Sequence, residues 1–209
     1  ATHDWVAQNC NTNSARAGLL VFLNDFADNA LTYLAITATK QRAPGFSINP
    51  TTPQWSNLRE MDAVGGGGAS FNDIPATVQN IKPITKLVIR SGNIVDQFTV
   101  YYEGSAVSHG GNGGEETSIC IDSGDYVTEV SGDYGTWFNV TQILTLSFKT
   151  KNGKSFGPYG NEAFEQSKTP FSFKANSGEA VVGFSGSIKT HSGGLQGLSA
   201  IGVGFATYQ

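Results

Sequence analysis

The sequence predicts an all-β fold, and three observations lead to this prediction. From residue 84 onward, apolar and polar side chains alternate with a period of two, as they do in half-buried strands. Glycine interrupts this alternation at points where a turn needs a residue that tolerates positive φ. No strong helical periodicity follows residue 60, and only 14% of the 209 residues are charged, which fits strands covered with Ser, Thr and Asn.

The second half of the chain repeats one unit four times: a strand, a glycine turn and another strand. The turn glycines are Gly92, Gly124, Gly153 and Gly178. We expect each of them to have a positive φ and each unit to be a tight hairpin. Hairpins stacked in this way form an all-β domain.

The distribution of glycine divides the chain into two regions. Only two of the 26 glycines lie before residue 64. We therefore predict an N-terminal extension at 1–56 and a domain at 57–209. A linker is predicted at about 43–56, where three prolines favour an extended chain.

The N-terminal extension fits two interpretations. Between residues 19 and 39, apolar side chains fall at the spacing of an amphipathic helix, but the same stretch fits a β-hairpin that turns at Asp28-Asn29. The β-branched residues near its end favour strands. We therefore predict a β-hairpin extension.

Charge and hydropathy limit the partners. The formal charge of −4 provides no basic surface for a polyanion, so we expect no nucleic acid partner. Asp25 and Asp28 interrupt the longest apolar stretch, so no transmembrane segment is predicted. The chain opens at Ala1 without a leader, so a targeting peptide has been removed or never existed. This leaves localisation open, with secretion slightly favoured over the cytoplasm.

The two cysteines, Cys10 and Cys120, are too few for a disulfide scaffold or a thiolate zinc site. Two interpretations remain. They form one bridge between the extension and the domain, or they are two small buried thiols.

Patterns typical of enzymes and metal sites are weak in this sequence. The run Gly65–Gly68 lacks the Lys and Ser/Thr of a phosphate loop. His3, His109 and His191 are isolated, so we interpret them as surface histidines and predict no metal and no cofactor. Most acidic residues lie at turns, which argues against a glycosidase pair. We therefore predict that the protein is not an enzyme.

An aromatic stretch at Asp133–Phe138 is more informative. Tyr134 and Trp137 flank Gly135 in what we interpret as a loop between strands. Their rings can stack on the apolar face of a sugar, or they can plug one end of the core. The sequence leaves both roles open.

Taken together, the motifs of residues 57–209 resemble those of the jacalin-related lectins. In family order, the matching segments are Gly65–Asp73, Ile84–Leu87, Gly124–Gly132, Leu146–Thr150, Phe156–Gly160, Val182–Gly186 and Leu198–Gly202. The resemblance implies a β-prism I fold of three four-stranded Greek-key sheets. It also implies metal-independent binding of mannose- or galactose-type sugars.

In this family, three loops at one end of the prism form the sugar site: a Gly-rich loop, an aromatic loop and a late loop with a Gly-x-x-x-Asp pattern. The resemblance carries the site to Gly66, Gly67, Tyr134, Trp137, Gly194, Leu195, Gln196 and Ser199. The late loop is several residues longer than usual, and Ser199 replaces the Asp. A neutral hydroxyl in place of a carboxylate weakens sugar binding by about 1–3 kcal/mol.

The expected function is that of a lectin for glycans or glycoproteins. Weak single sites of this kind gain avidity in a homo-oligomer. Two alternatives stay open. One is a glycan-targeted pore-forming or membrane-acting toxin component, and the other is an interaction module that no longer binds sugar.

Overall fold

The computed structural model describes residues 55–161, 168–192 and 194–208, within a compact unit that begins at Trp55. The predicted N-terminal hairpin, most of the predicted linker and Cys10 lie outside these residues, so the Cys10–Cys120 bridge stays a prediction. The last two residues of that linker belong to the first strand. The all-β prediction is confirmed, because the described residues form strands and a single 3₁₀ turn, Val78–Asn80.

Twelve antiparallel strands make three four-stranded sheets in the described part of the chain. The strands are β1 Trp55–Gly65, β2 Ala69–Asn72, β3 Ile84–Ser91, β4 Val95–Tyr102, β5 Ser105–Gly110, β6 Glu115–Cys120, β7 Val127–Trp137, β8 Val140–Thr150, β9 Ser155–Gly160, β10 Lys168–Lys174, β11 Glu179–Thr190 and β12 Gln196–Tyr208. The strand orders are β1-β12-β11-β2, β10-β7-β8-β9 and β5-β4-β3-β6.

All three sheets have the same Greek-key topology, in which the fourth strand returns to lie beside the first. The second and third sheets are each built from four consecutive strands, β7 to β10 and β3 to β6. The first sheet combines β11 and β12 with β1 and β2, from opposite ends of the described chain. This arrangement confirms the predicted β-prism of three Greek-key sheets.

The structure corrects two of the four predicted hairpins. Gly124 and Gly178 have the predicted positive φ, 78° and 79°. However, the strands on either side of each glycine belong to different sheets. A positive φ allows the chain to turn sharply. Whether the two flanking strands pair with each other depends on which sheet the second strand joins. The prediction of positive φ is also wrong for Gly92, which lies outside the left-handed region.

The core lies between the three sheets, and all of them contribute to it. The largest completely buried side chains include Phe98, Phe148, Phe184 and Phe205. The Phe98 ring lies 5.9 Å from that of Phe148 and 4.8 Å from that of Phe184, the second pair edge to face. Aromatic pairs at these distances add to the stability gained from burial. The loops at one end of the prism are therefore held by a well-packed interior.

A polar contact also joins the edges of two sheets. Nε2 of His109 on β5 lies 2.5 Å from a carboxylate oxygen of Asp73, which follows β2. The imidazole stacks on Phe71 of β2, with centroids 3.6 Å apart. The interpretation of His109 as a surface histidine is therefore wrong, because the approach of the two edges encloses its ring.

Candidate functional site

Five loops of the described residues meet at one end of the prism, and we call them the apical loops. They comprise residues 66–68, 92–94, 111–114 and 138–139, and residues 191, 192, 194 and 195 between β11 and β12. Backbones of different sheets approach closely here, so that a Cβ at Gly111 would lie 2.8 Å from the Gln196 carbonyl oxygen. A Cβ at Gly66 would lie 2.7 Å from Cβ of Thr141. Glycine is required where the loops touch.

The position of Ser199 is closed to ligand. Its side chain is completely buried, and its hydroxyl lies 3.0 Å from that of Ser187, which donates to the Gly66 carbonyl at 2.8 Å. The Gly66 amide donates to the Ser199 carbonyl at 2.7 Å. The predicted sugar contacts of the Ser199 hydroxyl and the Gly66 amide are thus not available, because both groups are used within the protein.

Asp96 occupies the position in the third sheet that Ser199 occupies in the first. Gly65 and Gly110, with φ of 117° and 111°, end equivalent strands beside these two residues. In each loop the next amide donates to the carbonyl of Ser199 or Asp96, at 2.7 and 2.9 Å. The equivalent residue in the second sheet is Leu144, against whose carbonyl Gly160 packs. Of the three positions, only that of Asp96 carries a carboxylate.

The Asp96 carboxylate lies in a recess with glycine walls, which we call the Asp96 recess. A Cβ at Gly113 would lie 2.9 Å from Cγ of Asp96, and one at Gly114 would lie 2.7 Å from Oδ2. Asp96 is 7% exposed, and the neighbouring Gly92 amide donates to the Ile94 carbonyl at 3.0 Å. Because Gly113 and Gly114 lack a Cβ, their backbones can lie close to the carboxylate, which a side chain at either position would cover.

Burial dominates the electrostatics of this recess. It raises the pKa of Asp96 above the ordinary value of 3.8, while His191, the Gly92 amide and Arg90 oppose this increase. Arg90 is directed to other acceptors, donating to the carbonyls of Gly113 at 3.0 Å and Gly114 at 2.8 Å. Among the described residues, none forms a direct ion pair with the carboxylate that would compete with a ligand for its oxygens.

The aromatic stretch does not form the predicted loop. Tyr134 lies within β7, opposite Ile143 of β8, and packs against the core. Because β7 continues to Trp137, Tyr134 lies inside the sheet and not in a loop. The structure thus favours the core role for Tyr134. Only Phe138 and Asn139 form the turn, and both have positive φ, 45° and 62°.

Phe138 is exceptional in this turn. Two central residues with positive φ define a type I′ hairpin, which usually takes Asn or Gly. A bulky residue in the left-handed region costs about 1–2 kcal/mol. The Phe138 side chain is nevertheless 64% exposed, so burial of the ring does not compensate for this cost. Backbone strain of this kind is typical of functional sites.

The late loop brings a buried histidine to the apical end. His191 is buried, and its ring lies 6.4 Å from the Phe138 ring at an interplanar angle of 19°. Its amide donates to the Leu195 carbonyl at 3.0 Å, which closes the turn. The interpretation of His191 as a surface histidine is therefore wrong. His3 lies outside the described residues.

The remaining predicted site residues lie at the apical end. Gly67 is exposed and has open space around it. Leu195 and Gln196 are exposed, and the Gly194 amide donates to the His191 carbonyl at 3.1 Å. Their contacts with a sugar stay predictions.

Metal-binding clusters and membrane-spanning helices are absent from the described residues. Within 55–161, 168–192 and 194–208, no group of three or more His, Cys, Asp or Glu side chains is arranged to hold a metal ion. In the same part of the chain, no helix is long and apolar enough to cross a membrane.

The repeated Greek keys and the apical glycine loops agree with a match to a family model. The model is that of the jacalin-like lectin domain, and it covers residues 61–203. The chain belongs to the jacalin-like lectin family. The resemblance stated from the sequence motifs is thereby confirmed.

Curated relatives in the family include horcolin of barley, Hordeum vulgare, which is 31% identical over 131 residues. That match covers 58% of this chain and 83% of horcolin. Jacalin-related lectin 5 of Arabidopsis thaliana is 31% identical over 107 residues, or 50% of this chain, and the match spans only 14% of that longer protein.

Solved structures of lectins share the fold. Wild-type Malaysian banana lectin has a TM-score of 0.56 at 28% identity, covering 73% of this chain and 100% of the lectin. A mannose-specific jacalin-related lectin from Morus nigra, in complex with mannose, has a TM-score of 0.56 at 26% identity, covering 77% and 99%. The artocarpin–mannotriose complex has a TM-score of 0.57 at 26% identity, covering 72% and 98%. These neighbours are lectins, which favours sugar binding over the membrane-acting and non-binding alternatives.

Sequence reasoning missed Asp96 as a candidate site residue. The signal was present, because Gly92-Asn93-Ile94-Val95-Asp96 is itself a Gly-x-x-x-Asp sequence. The family resemblance directs attention to that pattern in the late loop alone. The equivalence of the sheets, which the structure supplies, identifies the second occurrence.

Proposed function

We propose that this protein is a metal-independent, carbohydrate-binding lectin whose principal sugar site is the Asp96 recess. One observation carries the proposal: the Asp96 carboxylate lies beneath glycines at the position equivalent to Ser199. The site predicted at Ser199 lacks both a charged group and an exposed hydroxyl. We infer that sugar recognition resides mainly in the third sheet of this chain.

The proposed binding mode uses the carboxylate as a double acceptor. Two neighbouring sugar hydroxyls donate to its two oxygens, and these charge-assisted bonds are shorter and stronger than neutral ones. The recess excludes most water, which strengthens them further. Burial also makes an unoccupied carboxylate costly, so hydroxyl donors from a ligand relieve part of this cost. Binding of this kind needs no cofactor and leads to no bond cleavage, in keeping with a protein that is not an enzyme.

Mannose is the first sugar to test. The Morus nigra neighbour is described as mannose-specific and the artocarpin neighbour holds mannotriose. We extend this preference to the present chain as a proposal. A homo-oligomer carrying several copies of the site would raise its avidity for multivalent glycans.

Titration calorimetry with methyl α-mannoside and methyl α-galactoside tests the proposal. We expect the wild type to bind one of them and Asp96→Asn to bind it about 10- to 100-fold more weakly, since hydrogen bonds to a charged group contribute roughly 1.5–3 kcal/mol. Ser199→Ala is the matched control and should retain wild-type affinity, because its hydroxyl is enclosed. Equal binding by Asp96→Asn, or no binding of any sugar by the folded wild type on a broad glycan array, would contradict the proposal.

A further inference from the structure

The loop that forms the glycine wall of the Asp96 recess has little support of its own. Residues 110–114 are Gly-Gly-Asn-Gly-Gly, and Asn112, the one residue among them with a side chain, is exposed. Glycine loses more conformational freedom on ordering than any other residue. A loop of this composition therefore needs contacts from outside to keep one conformation beside the carboxylate.

Arg90 on β3 provides such contacts. Its Nε donates to the Gly113 carbonyl at 3.0 Å, and its Nη2 donates to the Gly114 carbonyl at 2.8 Å. Its Nη1 donates to a carboxylate oxygen of Glu116 on β6 at 3.2 Å. All three guanidinium nitrogens are thus engaged, and the planar group fixes the two carbonyls relative to each other. Hydrogen bonds from a charged donor are also stronger than neutral ones.

The two residues that Arg90 contacts are the same two that lie against Asp96. A Cβ at Gly114 would lie 2.7 Å from Oδ2 of Asp96, and one at Gly113 would meet the same carboxyl group. At the other end of the loop, the Gly111 amide donates to the Asp96 carbonyl at 2.9 Å. The loop is therefore fixed on both sides of the exposed Asn112, and Arg90 supplies one of the two attachments.

We propose that Arg90 is a positioning residue of the sugar site, which holds residues 111–114 in their binding conformation before a sugar arrives. This inference rests on the proposed function and adds to it a residue that acts through the loop. Because the loop is ordered in advance, sugar binding does not carry the entropic cost of ordering it. Lysine cannot replace Arg90 in this role, since its ammonium lacks the rigid fork that fixes two carbonyls.

Calorimetry tests this role with whichever of methyl α-mannoside and methyl α-galactoside the wild type binds. We expect Arg90→Lys and Arg90→Met to bind it about 5- to 30-fold more weakly, the cost of ordering one further residue on binding. Lys86→Met is the matched control, because Lys86 lies on the same face of β3 but contacts the Tyr101 ring, and it should retain wild-type affinity. Glu116→Gln leaves both carbonyl bonds in place and should weaken binding by less than about twofold, since an exposed ion pair contributes little.

Amide hydrogen exchange, followed by NMR, distinguishes positioning from general stability. In the sugar-free wild type, the bonded Gly111 amide should exchange at least about tenfold more slowly than the amide of the exposed Asn112. Arg90→Lys should accelerate exchange at Gly111 and leave the central amides of β3 unchanged. Saturating sugar should restore the slow exchange, because the ligand then holds the loop.

The possible outcomes separate the two proposals. If the wild type binds sugar through Asp96 but both Arg90 variants keep its affinity, the positioning role is wrong and the lectin proposal stands. The same conclusion follows, without any variant, if Gly111 exchanges as fast as Asn112 in the free wild type. Equal acceleration throughout β3 in Arg90→Lys would assign Arg90 to folding alone and overturn the inference. If the folded wild type binds no sugar, the lectin proposal fails, and the positioning role fails with it.

Discussion

Gly113→Ala places a methyl group against the carboxylate that we assign to sugar binding. The added Cβ would lie 2.9 Å from Cγ of Asp96 and closer still to Oδ1. Non-bonded carbon atoms prefer about 3.5–4 Å, so the carboxyl group must retreat by about 0.6–1 Å. A hydrogen bond of ordinary length does not survive such a displacement without a matching shift of the sugar.

The expected loss follows from the bonds that are broken. One charge-assisted bond contributes about 1.5–3 kcal/mol, which corresponds to roughly a 10- to 100-fold weaker affinity for sugar. Overpacking at a buried contact also costs about 1–3 kcal/mol of folding stability. We therefore expect a protein that is folded at room temperature, melts earlier and binds sugar poorly.

Calorimetry measures the affinity, and a thermal melt verifies that the variant is folded at the titration temperature. Asn112→Ala is the control, because Asn112 is exposed in the same loop and neighbours Gly113. It should bind and melt as the wild type does. A folded Gly113→Ala variant with wild-type affinity would refute the assignment of the carboxylate to the site.

The ionisation of Asp96 and that of Glu179 change folding stability in opposite directions as the pH falls. Because burial raises the pKa of Asp96 above 3.8, sugar affinity should fall as the pH decreases toward this raised value, before exposed aspartates protonate, and calorimetry across acidic pH measures the loss. The ionised form of Asp96 also costs folding stability above that pKa, so Asp96→Asn should equal the wild type in strongly acidic solution and exceed its stability at neutral pH. Glu179 behaves conversely, because hydrogen bonds from Arg59, at 2.6 Å from Nη2, hold its pKa below the ordinary 4.5. Its contribution is present above about 4.5 and is lost as the pH falls through the lower folded value. Glu179→Gln should therefore lower the free energy of unfolding by about 1 kcal/mol at neutral pH, a modest value since Arg59 is partly exposed, and the difference should shrink in acid. Urea denaturation at several pH values measures it, and a constant difference would contradict the assignment.

Local signals in the sequence predicted the strands better than their pairing. Period-two alternation located β3, β4, β7 and β8, although β3, β4 and β8 also contain runs of three to five consecutive buried residues. The turn at Gly178 was predicted equally well by its chemistry. Its flanking strands nevertheless separate into different sheets, because sheet membership depends on contacts distant in sequence.

The candidate site was harder to predict for the same reason. From the sequence, Ser199 is expected to be an accessible polar residue. Its enclosure becomes visible only in the structure, where its hydroxyl contacts Ser187, which donates to Gly66. Asp96 reads as one acidic residue near a turn. Its proposed role depends on the loop of residues 111–114, which the chain brings next to it only after the hairpin of β4 and β5.

The first sheet also determines when this protein can complete its structure. Its central strand β12 is the last one in the described chain, and it pairs with β1 from Trp55 to Gly65 and with β11. During synthesis, the second and third sheets can form from consecutive strands, while β1 must wait for β12, which follows the other eleven described strands in the chain. A chain that stops at Thr190 would retain Asp96 and the glycines of its recess, but the edges of β1 and β11 that pair with β12 would be unpaired and prone to association with other chains. The strand order therefore makes completion of the first sheet depend on synthesis of the chain through β12.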